Sequence, residues 1–185
     1  MFPTQTVRFI RDADGARVAY AIVGEGPLIL CPAWWVSHVE RDWEHPGFRH
    51  FFARLAEGFR VVRYDRPGSG LSDRDVAPRT QVSEVQLLGA LADALGDSQF
   101  SMFAVSCGGP AALTYAAAHP DRIRRLCLYG SFASGSDAVL PEVGDAPCRS
   151  CDGPLGLRVY GAISDILQEI LMFIHGVLRR AMNVS

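Results

Sequence analysis

Phe100-Ser-Met-Phe-Ala-Val-Ser106-Cys-Gly-Gly-Pro-Ala-Ala-Leu-Thr-Tyr-Ala-Ala-Ala-His119 joins an apolar, strand-like run to an alanine-rich helical run at a serine followed by two glycines. A strand that turns sharply into a helix lifts one side chain above the sheet. Small residues two positions to either side let such a turn close without Cβ clashes. Ala104 and Gly108 occupy those positions, giving Ala-x-Ser-x-Gly, and Gly109 relieves the crowding further. A helix N-terminus beside Ser106 favours negative charge developing near it. Two readings of Ser106 follow: a nucleophile on an elbow, or an N-cap hydroxyl for the helix it opens. The flanking order favours the elbow, because the helix run ends at His119-Pro120-Asp-Arg-Ile123 and a second apolar strand, Arg125 to Gly130, comes next.

The chain has 185 residues, 49% of them hydrophobic, and a formal net charge of −2, which suits a soluble globular domain with one core. All 18 of its basic residues are arginine, scattered except for Arg124-Arg125 and Arg179-Arg180, so no nucleic-acid-binding patch is implied. The N-terminus lacks a basic segment followed by an apolar core, so neither a signal peptide nor a transit peptide is read, and a cytoplasmic location is expected. Of the five cysteines, Cys31, Cys107 and Cys127 fall in or beside apolar elements and read as reduced, small hydrophobes. Cys148-Arg-Ser-Cys151 has the spacing of a metal or redox pair but not the further ligands or the strand-to-helix context, so no metal is assigned.

Outward from the elbow, Gln5 to Ile10 and Arg17 to Val23 flank Asp12-Ala-Asp-Gly15, whose Asp-Gly marks a turn, and predict an antiparallel hairpin. Leu28-Ile-Leu-Cys31 is short and continuously apolar, the pattern of a strand covered on both faces, and Pro32 to His38 leaves it as a loop. Phe48, Phe51, Phe52, Leu55 and Ala56 recur at helical spacing over Phe48 to Phe59, ahead of a strand at Arg60 to Tyr64. Asp65-Arg-Pro-Gly-Ser-Gly-Leu-Ser-Asp73 is a turn without the Gly-Lys-Ser/Thr or the third glycine of a nucleotide loop. Val82 to Leu95 reads as a helix stopped by Gly96. Strands alternating with helices predict a mostly parallel α/β sheet with helices on both faces and ligands at the carboxyl ends of the strands. The loops 32–38 and 65–73 and the Ser106 elbow are expected to meet there.

With these elements in order, residues 5 to 135 resemble the α/β-hydrolase family. The resemblance rests on the hairpin with Gly24-Glu-Gly-Pro27, the loop after Leu28 to Cys31, the Asp65 to Ser72 turn, and the elbow with His119-Pro120 beyond its helix. Trp34-Trp-Val-Ser-His38, Asp42-Trp43 and Tyr64-Asp-Arg66 are similar to hydrolase-like domains found beside nucleotide-cyclase or DNA-binding regulatory modules. The resemblance implies Ser106 as nucleophile, with the backbone N–H groups of Cys107 and Trp34 as oxyanion donors; Pro32-Ala33 stands where the family often has His-Gly. It implies an ester, lactone or related apolar acyl substrate, since the nucleophile is serine and not aspartate, and it implies no cofactor.

The family also supplies an acid and a histidine from loops after two later strands. About six strands are readable here, so the α/β-hydrolase-like fold is expected to be incomplete, with residues 1–135 its N-terminal part and 136–185 an atypical tail. Asp137, shortly after the sixth strand, is the candidate acid, the alternative being a solvated loop carboxylate. His175 sits in an amphipathic helix over 163–180, whose charges and length argue against a membrane span. His119 reads as a helix-terminating His-Pro, and His38, His45 and His50 surround the entrance loop. The tail from about residue 140 is expected to be non-homologous sequence replacing the second half of a hydrolase, with its helix docked on the sheet or over the site. The sixth strand is an edge open to self-association. Trp34, Trp35 and Trp43 suit either an aromatic-lined mouth or plain core. Two functions stay open: a serine hydrolase, and a catalytically inactive hydrolase-like fragment or small-ligand-binding domain.

Overall fold

The computed structural model describes residues 2–34 and 37–133. Asp137, the Cys148/Cys151 pair, His175 and the 163–180 helix lie outside them, as does Trp35. Within them the chain runs β1 (Thr6–Arg11), β2 (Arg17–Val23), β3 (Leu28–Cys31), α1 (Val39–Glu44), α2 (Pro46–Leu55), β4 (Arg60–Tyr64), α3 (Gln81–Leu95), β5 (Phe100–Val105), α4 (Gly109–Ala118) and β6 (Ile123–Tyr129). The six strands form one sheet in the order β1-β2-β4-β3-β5-β6. β1 pairs with β2 and β2 with β4 antiparallel, while β3 pairs in parallel with β4 and β5, and β5 with β6. This is the mostly parallel sheet expected from the alternation of elements.

Two cores lie on opposite faces of the sheet, as the alternation of side chains along each strand requires. Leu28, Leu30, Val62, Tyr64, Phe100, Met102 and Ala104 pack with Leu87, Leu88 and Leu91 of α3 and Ala112 and Tyr115 of α4. Ile29, Cys31, Val61, Phe103 and Val105 pack with Phe48, Phe51, Phe52 and Leu55 of α2. Helices thus cover both faces. Trp34 joins the second core, stacked on Phe52 with ring centroids 6.2 Å apart, and the guanidinium of Arg63 lies 5.6 Å from the Trp43 ring. Of the aromatic residues read as mouth or core, these two are partly core.

Local chemistry sets the element ends. Thr80 caps α3, its hydroxyl accepting from Ser83 N–H while the Ser83 hydroxyl accepts from Thr80 N–H, and Gly96 closes the helix in the left-handed region at φ 78°. The expected 48–59 helix instead starts at Pro46 and stops at Leu55, because Pro46 fits the first helical turn and the chain turns through Glu57 and Gly58 into β4. The short helix α1 went unread. It has no long apolar stripe, and its start is held from a distance: Val39 N–H donates to both oxygens of the Asp65 carboxylate, at 3.0 and 3.2 Å. β6 begins at Ile123, two residues earlier than its apolar run suggests, because it pairs with β5 from Phe100 onward. Among the described residues β6 is a sheet edge, and the exposed Arg124 and Arg125 are charges of the kind that discourage edge pairing.

Asp65 is fully buried and accepts a further bond from Leu71 N–H at 2.9 Å, while its own backbone is tied to Ala19 O and to the Ser72 hydroxyl. A Cβ on Gly70 would overlap this carboxylate, so the turn closes only around a glycine. Asp65→Ala leaves the N–H groups of buried Val39 and half-buried Leu71 without their acceptor and is expected to cost about 3 kcal/mol. Thr80→Ala, which removes one exposed cap, is expected to cost about 1 kcal/mol. Urea unfolding of the two variants measures the difference, and equal losses would refute the organising role given to Asp65.

Candidate functional site

Because β3, β4, β5 and β6 run parallel, their C-terminal ends share one edge of the sheet, and the loops that leave them converge. Ser106 follows β5 directly and begins a tight turn, Ser106–Gly108, that leads into α4. Its φ is 47°; among the described residues it is the sole non-glycine residue with a positive φ. Serine has no intrinsic reason to adopt this conformation, which costs roughly 1–3 kcal/mol and persists only where its surroundings enforce it.

The enforcement comes from three sides. Ala104 is completely buried beneath the turn, where a larger side chain would meet the α3–α4 core. A Cβ on Gly108 would stand 3.0 Å from the Pro32 carbonyl oxygen, so the start of α4 lies against the loop after β3. A Cβ on Gly109 would overlap the Ser131 hydroxyl, which donates to the Ser106 carbonyl at 2.7 Å. The turn after β6 therefore supplies the third side. Ser131 was not singled out by sequence; its one signal is a small polar residue two positions beyond an apolar strand.

The Ser106 side chain is half-buried, and its hydroxyl donates to the Cys107 sulfur at 3.8 Å. Cys107 follows Ser106 in the opening turn, where backbone N–H groups have no carbonyl one turn behind them. Trp34, the other residue the resemblance implies as a donor, is on the loop that Gly108 abuts. The elbow and the loop after β3 are thus brought together.

The four described histidines are engaged elsewhere. His38 caps α1, its Nδ1 accepting from Arg41 N–H at 3.4 Å, and His45 caps α2 in the same manner toward Phe48. His50 meets the edge of the Phe2 ring, and His119 packs on Tyr115 with centroids 4.6 Å apart. None of these four histidines hydrogen-bonds Ser106. No group of three or more His, Cys, Asp or Glu side chains among them suits a metal ion, and no helix among them is long and apolar enough to cross a membrane.

Sequence reading missed the basic side chain at this edge. Arg66 donates through Nη2 to the Ala33 carbonyl at 3.1 Å and pairs with the buried Glu84 of α3, Nε to Oε2, at 3.2 Å. Arg79 lies 3.4 Å from the other Glu84 oxygen and 2.8 Å from Asp12. An arginine beside a Gly-Ser-Gly turn reads as a solvated loop charge until α3 is packed against it.

A mostly parallel sheet with a strained serine at a strand-to-helix turn, faced by the loop after β3, defines a class of enzyme folds. The chain belongs to the alpha/beta hydrolase fold family, whose model matches residues 26–146. It is similar to pyrrolizixenacetamide deacetylase of Xenorhabdus hominickii, with 30% identity over 123 residues, covering 66% of this chain and 44% of that one. It is also 30% identical over 129 residues to haloalkane dehalogenase 2 of Mycobacterium tuberculosis, covering 69% of this chain and 43% of the relative. A solved structure of a Vigna radiata epoxide hydrolase mutant superposes with a TM-score of 0.58 at 27% identity, covering 67% of this chain and 38% of that one. The chain spans less than half the length of these relatives.

Cys31, at the end of β3, is buried between α2 and the sheet, and burial pushes its thiol up to about 12, offset in part by the nearby Arg63 guanidinium. The folded state therefore holds this proton more tightly than the unfolded chain does. The associated stability is complete below pH 9 and is lost as the pH rises from 9 toward 12. Iodoacetamide at pH 8 is expected to leave Cys31 unmodified in the native chain and to alkylate it after unfolding in urea. Peptide mapping distinguishes the cysteines, and rapid native alkylation of Cys31 would contradict its burial.

Proposed function

We propose that the protein is a serine hydrolase acting on an ester, lactone or related apolar acyl substrate through an acyl-enzyme on Ser106. The observation that carries this reading is the Ser106 backbone at φ 47°, a conformation serine adopts at a cost and one that raises its side chain at the carboxyl edge of the sheet. A structural N-cap needs no such strain, because caps sit in ordinary extended geometry, as Thr80 does at φ −109°. Ser106 Oγ bonds to the acyl carbon, the bond to the leaving oxygen breaks, and the serine proton reaches that oxygen by way of a base. Water then cleaves the acyl-serine ester. The negative charge on the acyl oxygen is received by the N–H groups of Cys107 and Trp34, where each well-aimed donor lowers the barrier by roughly 3 kcal/mol. A hydroxyl nucleophile matches acyl transfer, and the family relationship and the deacetylase relative support hydrolytic chemistry in this class.

A second reading has its own observation. The hydroxyl of Ser106 is bonded to Cys107 Sγ and, among the described residues, to no base. A serine without a base loses most of its advantage over water, and the domain would then bind a small acyl ligand without turning it over.

Incubation of the whole chain with a fluorophosphonate probe separates the two. The hydrolase reading expects stoichiometric labelling on Ser106, abolished in Ser106→Ala with the fold retained by circular dichroism. Absence of labelling in folded protein would favour the binding domain.

A further inference from the structure

The loop after β3 is pinned at both ends by consecutive residues of the turn after β4. Asp65 receives Val39 N–H at the far end, and Arg66 holds the Ala33 carbonyl at the near end. The near anchor bears on the site, because the Ala33 carbonyl and the Trp34 N–H belong to one peptide unit. The described residues contain no cis peptide bond, so the two groups point in opposite directions across a rigid plane. A guanidinium that fixes the oxygen therefore also fixes the direction of the N–H. Being charged, it also draws electron density out of the amide and makes that N–H a stronger donor.

We infer that Arg66 is a positioning residue that aims and polarises the Trp34 backbone N–H toward the acyl oxygen of a substrate on Ser106. The inference rests on the reading of Ser106 as nucleophile. Arg66 is itself held by a chain of alternating charges. Glu84, buried on α3, lies 3.2 Å from Arg66 Nε, Arg79 lies 3.4 Å from Glu84, and Asp12 in the β1–β2 turn lies 2.8 Å from Arg79. The Arg66–Glu84 contact is an ion pair without hydrogen-bond alignment, since neither Arg66 Nε nor Glu84 Oε2 has a hydrogen-bonded partner. The guanidinium is thus attracted to α3 while its Nη2 donates to the loop. On the opposite side of the same residue, the Trp34 ring lies parallel to Phe52, with planes 4° apart. A peptide held by a guanidinium at one end and by a stacked indole at the other has little freedom to rotate. Lysine replaces this arrangement only in part, because a point-like ammonium keeps the charge but does not span Glu84 and the Ala33 oxygen with a planar fork.

The test uses the full chain with the variants Arg66→Ala and Arg66→Lys and two readouts. The first is fluorophosphonate labelling of Ser106, analysed for the maximal rate and the concentration at half-saturation. Arg66→Ala is expected to lower the maximal rate by about 10²-fold, the loss typical of a displaced catalytic group, with half-saturation unchanged. Arg66→Lys is expected to fall between this variant and wild type. Added methylguanidinium is expected to restore part of the Arg66→Ala rate, which a general loss of packing would not permit. The second readout, the Trp34 amide resonance and its hydrogen exchange, needs no activity: both variants should shift the resonance and speed its exchange, leaving the Cys107 amide in place.

A wild-type chain that does not label refutes the nucleophile reading. The amide measurement then decides the positioning claim alone. Wild-type labelling rates in folded variants, or an unmoved Trp34 amide, would overturn the role assigned to Arg66.

Discussion

A serine held at a positive φ is the constraint on which this structure turns. The strain at Ser106 is a cost of roughly 1–3 kcal/mol, and it is tolerated because the flanking residues have nowhere else to go. Upstream, β5 is buried on both faces, its even-numbered side chains in one core and Phe103 and Val105 in the other, so its backbone cannot rotate to relieve the turn. Downstream, a Cβ on Gly109 would overlap the Ser131 side chain in the turn after β6, and one on Gly108 would stand tight, at 3.0 Å, against the Pro32 carbonyl in the loop after β3. The strain is thus set by packing on both sides of the sheet, and removing either glycine would disturb the elbow before it disturbed the core.

The same edge shows how a parallel sheet assembles a site from residues far apart in the chain. Four loops are brought to one rim because the strands that feed them point the same way, and the turn after β4 ties down the loop after β3. Asp65 and Arg66 are adjacent, opposite in charge, and directed to opposite ends of the loop after β3. The carboxylate is buried without exposure and is satisfied by backbone N–H groups, whereas the guanidinium is balanced by Glu84. One turn therefore holds both ends of a neighbouring loop, of which the described residues 32–34 and 37–38 form no regular structure.

The proposed reading assigns the reception of negative charge to the opening turn of a helix at Cys107 and to the peptide whose Ala33 carbonyl is anchored by Arg66. The group that would receive a proton from Ser106 is not hydrogen-bonded to it by any described residue, and the described histidines are occupied with helix caps and ring contacts. The proposed hydrolase and the proposed binding domain differ at that single point.

Apolar periodicity and turn residues were enough to read the hairpin, β3 and β4, the α3 helix to its glycine stop, the elbow, and the mostly parallel sheet, because each is dictated by residues close together in the chain. Small residues around Ser106 were enough to mark it. What neighbouring residues cannot encode was decided by the tertiary structure. The helix α1 starts where it does because a carboxylate 26 residues later meets its first N–H. β6 starts at Ile123 because β5 pairs with it, and Ser131 reaches the elbow only once β6 lies beside β5. Arg66 and Glu84 look like ordinary surface charges until α3 is laid over the sheet, since an ion pair is a matter of distance in space and leaves no periodicity in the chain. The sequence alone therefore determined which strand-to-helix turn carries the serine. Only the packed structure decided which loops surround it, because contacts at one sheet edge depend on which strands lie side by side.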